Sequence, residues 1–108
     1  MADKAWTASS TRAGVSAKIR EWKVTIDGTD NATEVLTIDP LYNVSITINH
    51  GGTDTLTIGL ANDEAETIID AETADADYAK SLCIGFTAIK ISGASAASHD
   101  ITVTEVEK

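Results

Sequence analysis

The stretch from Val44 to Leu60, VSITINHGGTDTLTIGL, alternates apolar and polar side chains, breaks at His50-Gly51-Gly52-Thr53, and alternates again. Val44, Ile46 and Ile48 fall on one side of an extended chain, with Ser45, Thr47 and Asn49 on the other; Leu56, Ile58 and Leu60 repeat the pattern against Thr55, Thr57 and Gly59. A period of two is that of a strand with one buried face. The short polar, Gly-rich break between two such runs predicts a β-hairpin.

The same period extends outward. Trp22, Val24 and Ile26 alternate with Glu21, Lys23, Thr25 and Asp27, and Asp27-Gly28-Thr29-Asp30-Asn31 then supplies the residues turns favour. Leu36 and Ile38 form a further short candidate, stopped by Asp39-Pro40. After Leu60 the pattern weakens: residues 66–70 (ETIID) read as a short strand, and 71–82 (AETADADYAKSL) as a helical turn or a long acidic loop, since Ala, Glu and Lys favour helix. Order returns at Thr87, Ile89 and Ile91, and a small-residue loop leads into a last strand, ITVTEVE. Most links are too short for a crossover helix. The expected fold is all-β: a single antiparallel β-sandwich or jelly roll of about seven to eight strands at regular spacing, with an extended N-terminal arm.

That arm is residues 1–19, MADKAWTASSTRAGVSAKI, which has neither a period of two nor a helical stripe. The domain proper is expected over 20–108. Residues 1–23 carry five cations against two acids, whereas the rest of the chain holds the other 15 of the 17 acids, for a net charge of -9 overall. Such an acidic body repels phosphate backbones and anionic headgroups, so nucleic acid and membrane are not expected partners. The arm can instead lie along a protein surface. Trp6 and Val15 are then the apolar anchors, and Lys4, Arg12 and Lys18 the groups that meet acids.

Cys83 is the only cysteine, so no intrachain disulfide can form. The residues after Met1 lack the apolar run of a signal peptide. The expectation is synthesis in a reducing cytoplasm, which makes the sequons at Asn31 and Asn43 coincidental.

Chemistry-bearing residues are sparse. Ser98-His99-Asp100 holds the letters of a triad, but adjacent residues on one backbone cannot form the relay, and loop polarity explains them better. His50 sits in a Gly-rich loop, and Cys83 reads as a small hydrophobe. One cysteine and two separated histidines do not make a transition-metal set. Asp27, Asp30 and Asn31, or the acids between Asp63 and Asp77, offer oxygen ligands without EF-hand spacing, and a solvated acidic surface is the simpler reading. A small glycosidase would want an aromatic-lined cleft as well as two acids, and the chain has five aromatic residues, of which Trp22 alternates with core positions. No catalytic residue, metal or cofactor is expected.

Two segments, VSITINHGGTDTLTIGLANDEA (44–65) and FTAIKISGASAASHDITVTEVE (86–107), resemble small β-sandwich virion proteins of tailed bacteriophages, including capsid decoration (cement) proteins and accessory modules of the neck or tail. The shared style is a hairpin, a variable acidic link, and a late strand before a final Ile101-Thr102-Val103-Thr104. The resemblance implies a non-enzymatic protein that binds the outside of a phage head, commonly as a homotrimer, and holds neighbouring major capsid subunits together. It places the protein on the virion. A neck or tail accessory role is the alternative within that family; a small carbohydrate-binding module, with Tyr42 and Trp6 as stacking residues, is the alternative outside it.

Overall fold

The computed structural model describes residues 3–13, 18–38, 42–61, 68–82 and 87–107. Nine strands run in chain order: β1 (Thr7–Ala13), β2 (Lys18–Ile26), β3 (Leu36–Thr37), β4 (Tyr42–Asn49), β5 (Leu56–Ala61), β6 (Ile68–Ala74), β7 (Tyr78–Leu82), β8 (Ala88–Ser92) and β9 (His99–Glu107). They form two antiparallel sheets, one ordered β1-β2-β9-β4-β7 and the other β3-β8-β5-β6.

The pairing is nested: β5 pairs with β6, β4 with β7, β3 with β8 and β2 with β9. A long hairpin whose tip is β5–β6 has been folded over on itself, which is the jelly-roll path. The all-β expectation therefore holds, with β1 as a further edge strand.

The hairpin expected from the opening stretch does not form. β4 and β5 belong to different sheets, and residues 50–55 carry the chain from one to the other. Alternation determines which face of a strand is buried and says nothing about which strand lies beside it. Two consecutive half-buried strands satisfy the same pattern whether they pair in one sheet or face each other across a core.

Residues 71–82 also differ from the expectation of helix or loop. Residues through Ala74 continue β6 and 78–82 form β7, with only 75–77 between them. Pairing with β5 on one side of that turn and β4 on the other overrides a weak helical propensity.

The inner faces meet in an aliphatic core. Val24, Ile26, Val44, Ile46, Ile48, Ile101 and Val103 of the first sheet pack against Leu36, Ile38, Leu56, Ile58, Leu60, Ala74, Ile89 and Ile91 of the second. Each fully buried Ile or Leu contributes about 1.5–3 kcal/mol relative to leaving it exposed. Trp6, Trp22 and Tyr78 close the periphery, half-buried.

Three of the four edge strands carry features that oppose strand addition. β1 is interrupted by a register shift between Ala8 and Ser10. On β7, Lys80 stands opposite Ile46, placing a charge on the core-facing parity of an edge strand. β3 is two residues long.

Candidate functional site

The links 27–35, 50–55, 75–77 and 93–98 all cross between the sheets at one end of the roll, beside the start of β9. Close passage needs glycine there. A Cβ on Gly51 would run into the carbonyl oxygen of Ser98, and Gly93 has φ of 104°, a left-handed conformation that side chains disfavour.

This crowding buries a polar node. His99, the first residue of β9, is fully buried (0% exposed), and Asp54 is 6% exposed. His99 Nε2 lies 2.9 Å from Asp54 Oδ2, and the Gly51 amide donates to His99 Nδ1 at 3.1 Å. Nδ1 is thus an acceptor and Nε2–H the donor, which defines a neutral imidazole. The Asp54 carboxylate also accepts from the amides of Ser95, Ala96 and Ala97 and from the Ser95 hydroxyl. The His99 N–H first, and these amides with it, hold the Asp54 carboxyl far below the usual carboxylate range.

His50 completes the node. Its ring lies 4.2 Å from that of His99, centroid to centroid, in an edge-on arrangement. His50 Nε2 is 2.7 Å from the Asp54 carbonyl oxygen, and its Nδ1 faces the Gly52 amide at 3.3 Å. Its own amide donates to Asp77 Oδ1 at 2.9 Å, tying the β4–β5 link to the β6–β7 turn. The histidines read as loop polarity are therefore the bolts of this end of the fold. The signal in the sequence is the pairing of His50-Gly51-Gly52 with Ser98-His99, which becomes meaningful only once β4 and β9 are known to be neighbours.

A second polar node occupies the inner face nearer the other end of β9. Glu105, fully buried, accepts from Arg20 Nη2 at 2.9 Å and from Trp22 Nε1 at 2.7 Å. The cavities described below are lined by none of His50, Asp54, His99 and Glu105. Among the described residues no group of three or more His, Cys, Asp or Glu is placed to hold a metal ion. Asp27 accepts from the Thr29 hydroxyl and amide, which lowers its carboxyl, and Asp30 accepts from the Asp27 amide. These two acids thus serve their own turn. Cys83 and residues 63–67 lie outside the described residues.

The N-terminal segment reaches across both sheets. The Lys4 amide donates to the Ala32 carbonyl and the Glu34 amide to the Lys4 carbonyl, each at 2.8 Å. Trp6 Nε1 donates to the Glu34 carbonyl at 2.7 Å, and Asp3 accepts from Asn31 and lies 3.7 Å from Lys90 Nζ on β8. Residues 7–13 then cross to the first sheet as β1, where Arg12 stands opposite Ile19 and Lys18 opposite Ala13. Lys4 and Trp6 are thereby brought to one strip along residues 32–34, with Arg12 and Lys18 on the neighbouring sheet edge. Val15 lies outside the described residues.

Beside this strip is a half-open cavity of about 230 Å³, lined by Asn31, Val35, Gly59, Ala88, Lys90 and Ser92 among others. A shallower groove of about 320 Å³ lies over Asn49, Asp77 and Tyr78.

No protein-family pattern and no curated protein matches the sequence. Solved structures match in fold. BH2720 from Bacillus halodurans superposes with a TM-score of 0.59 at 11% identity over 83% of this chain; the match spans 63% of BH2720. A cupin domain from Bordetella pertussis gives 0.55 at 10% identity over 100% of this chain and 99% of that one. A protein of the Bacillus endospore appendages, described as disulfide-linked pili, gives 0.51 at 18% identity over 94% and 98%. At such identities the likeness is one of fold, a small β-sandwich of the jelly-roll kind.

Proposed function

We propose that this chain is a non-enzymatic structural subunit of a particle, a capsid decoration protein that sits on the outer surface of a phage head as a trimer. The observation that carries this reading is the way the fold consumes its own chemistry. His50, His99, Asp54 and Glu105, the groups best suited to catalysis, are hydrogen-bonded into the two nodes that hold the roll together. What remains for a partner is an outer surface rich in Thr and Ser and an acidic body whose residues 1–23 carry five cations against two acids, which suits binding to a protein lattice more than turnover of a small molecule. The endospore pilus protein supports the reading as a case in which a domain of this fold and length builds an assembly.

The edges constrain how such a subunit attaches. The β1 register shift and Lys80 on β7 disfavour extension of the first sheet, so contact on that sheet is made by its face and by the strip that holds Lys4, with Arg12 beside it on β1. The test is rebinding of the purified chain to heads stripped of it, with light scattering for the oligomeric state. Saturable binding, weakened at least tenfold by Lys4→Glu and Arg12→Glu together, is the expected result. A monomer that ignores heads and is retained on a polysaccharide column would replace this reading with that of a carbohydrate-binding module.

A further inference from the structure

The cavity beside the N-terminal strip already has a carboxylate at its edge. Asp3 accepts from Asn31 Nδ2 at 2.8 Å and lies 3.7 Å from Lys90 Nζ, and Asn31 and Lys90 both line the cavity. We propose that this cavity is a socket for one bulky apolar side chain of a partner protein, with Lys90 receiving an Asp or Glu carboxylate that stands beside it in the partner. The socket rests on the proposed role as a subunit bound to a protein lattice, and it gives that contact a place and a chemistry.

Strand parity builds the floor. Ile58 and Leu60 on β5 and Ile89 and Ile91 on β8 belong to the core, so Gly59, Ala61, Ala88 and Lys90 fall on the outer parity of the second sheet. Gly59 stands opposite Lys90 and Ala61 opposite Ala88. These two neighbouring cross-strand pairs bring together one lysine and three side chains no larger than a methyl group. Asn31 and Val35, from the segment that flanks β8, join the lining.

Size selects the occupant. Pockets that take a whole small molecule generally measure about 300–1,000 Å³, and this one measures about 230 Å³. A cavity of about 150 Å³ is enough for benzene. One aromatic ring or branched aliphatic side chain therefore fills the hollow, and the remainder of a larger free ligand would stand outside it unsupported. A side chain on a partner's surface has its remainder held by the partner.

Charge selects what lies beside that side chain. Beyond residue 23 the cations are Lys80, Lys90 and Lys108, set among 15 of the chain's 17 acids. Lys90 is thus a local cation on an acidic body, and it draws an acidic group to the cavity. Asp3 does not pre-empt it. The Asp3 and Lys90 side chains are 31% and 26% exposed, and at 3.7 Å they form a solvated ion pair without a hydrogen bond, the weak kind. A partner carboxylate at about 2.7–2.9 Å gains the charge-assisted hydrogen bond that Asp3 does not supply. Asn31 keeps Asp3 in place meanwhile, so the strip stays on residues 32–34.

The test is an NMR titration of the full chain with acetyl-Phe-Glu-amide and, separately, acetyl-Phe-Gln-amide. The expected result is saturating amide shifts gathered at Gly59, Ala88 and Lys90, with a dissociation constant in the millimolar range of a small fragment. The glutamine peptide should bind about threefold more weakly, and Lys90→Met should remove that difference. Shifts that do not saturate, shifts away from the cavity, or equal affinities for the two peptides overturn the socket, and the unmutated chain decides all three. Phenylacetate bound as tightly as the glutamate peptide would make this a small-molecule site, and a trimer that dissociates as the peptide saturates would assign it to a second copy; either result overturns the proposal. Rebinding to stripped heads separates the socket from the capsid role. A chain that takes the peptide as described but ignores heads keeps the socket and loses the capsid role, whereas one that binds heads equally well with saturating peptide present loses the socket alone.

Discussion

Trp22 donates its indole N–H to Glu105 at 2.7 Å on the inner face of the first sheet, one position diagonal from the Arg20–Glu105 cross-strand pair. Carboxylate, guanidinium and indole share one site between β2 and β9. Arg20 keeps 31% of its side chain exposed, whereas Glu105 keeps none. The carboxylate is therefore the member that has lost water and depends on its partners.

That asymmetry ranks the substitutions. Glu105→Ala removes the shared acceptor and strands two donors, with an expected loss of about 3 kcal/mol, the low end for a broken buried pair because Arg20 retains contact with water. Trp22→Phe removes one hydrogen bond and leaves the ion pair, with an expected loss of about 1 kcal/mol. Urea unfolding at pH 7 measures both. Equal losses would show that the indole N–H, not the charge pair, dominates the site.

The topology is open to direct chemical test. In a Cys83→Ser background, Ser45→Cys with Thr104→Cys places thiols on adjacent positions of β4 and β9, where antiparallel Cα separations of about 4.5–5.5 Å permit a disulfide. Ser45→Cys with Thr57→Cys joins β4 to β5, which lie in different sheets. The first pair is expected to crosslink on mild oxidation and the second to remain reduced. The reverse result would restore a β4–β5 hairpin.

These pairings show what the sequence could convey. Six inward residues of β4 and β5 were legible, because Val44, Ile46, Ile48, Leu56, Ile58 and Leu60 alternate and all are buried. Their partners were not legible, since β4 pairs with β9 more than fifty residues away and the alternation is blind to that distance. β7 was hidden for a different reason: Tyr78 and Lys80 share the inward parity of a short edge strand, and a lysine there breaks the apolar pattern. His99 looked like loop polarity because its burial depends on Asp54, 45 positions earlier in the chain. Residues 3–6 lack a period because they are a covering strip, in which Lys4 bonds through its backbone amide and carbonyl and Trp6 through its indole N–H to the Glu34 carbonyl.

Gly93 sets a local test of the crowded end. Its φ of 104° and the approach of the Thr55 carbonyl oxygen leave no room for a Cβ. Gly93→Ala is expected to cost about 1–3 kcal/mol through backbone strain. The measured quantity is again the urea midpoint. An unchanged midpoint would mean that the 93–98 loop can shift without disturbing the Asp54 cradle.

Asp54 governs the acid limb of stability. Its carboxyl is held low in the folded chain by the His99 N–H and the amides of the 93–98 loop, so the folded state binds its proton less readily than the unfolded state does. The stabilisation is therefore complete above the unfolded carboxylate range near pH 4 and drains away as the pH falls below it. Asp27, lowered by Thr29, adds to the same slope. Asp54→Asn removes the titrating group, and one of its two side-chain positions would present donors to amides that are donors themselves. The variant should unfold at lower urea than the native chain at pH 7, and the two midpoints should draw together between pH 4 and pH 2 as the unfolded chain takes up the proton that the folded Asp54 excludes. Parallel profiles across that range would mean that Asp54 contributes through shape alone.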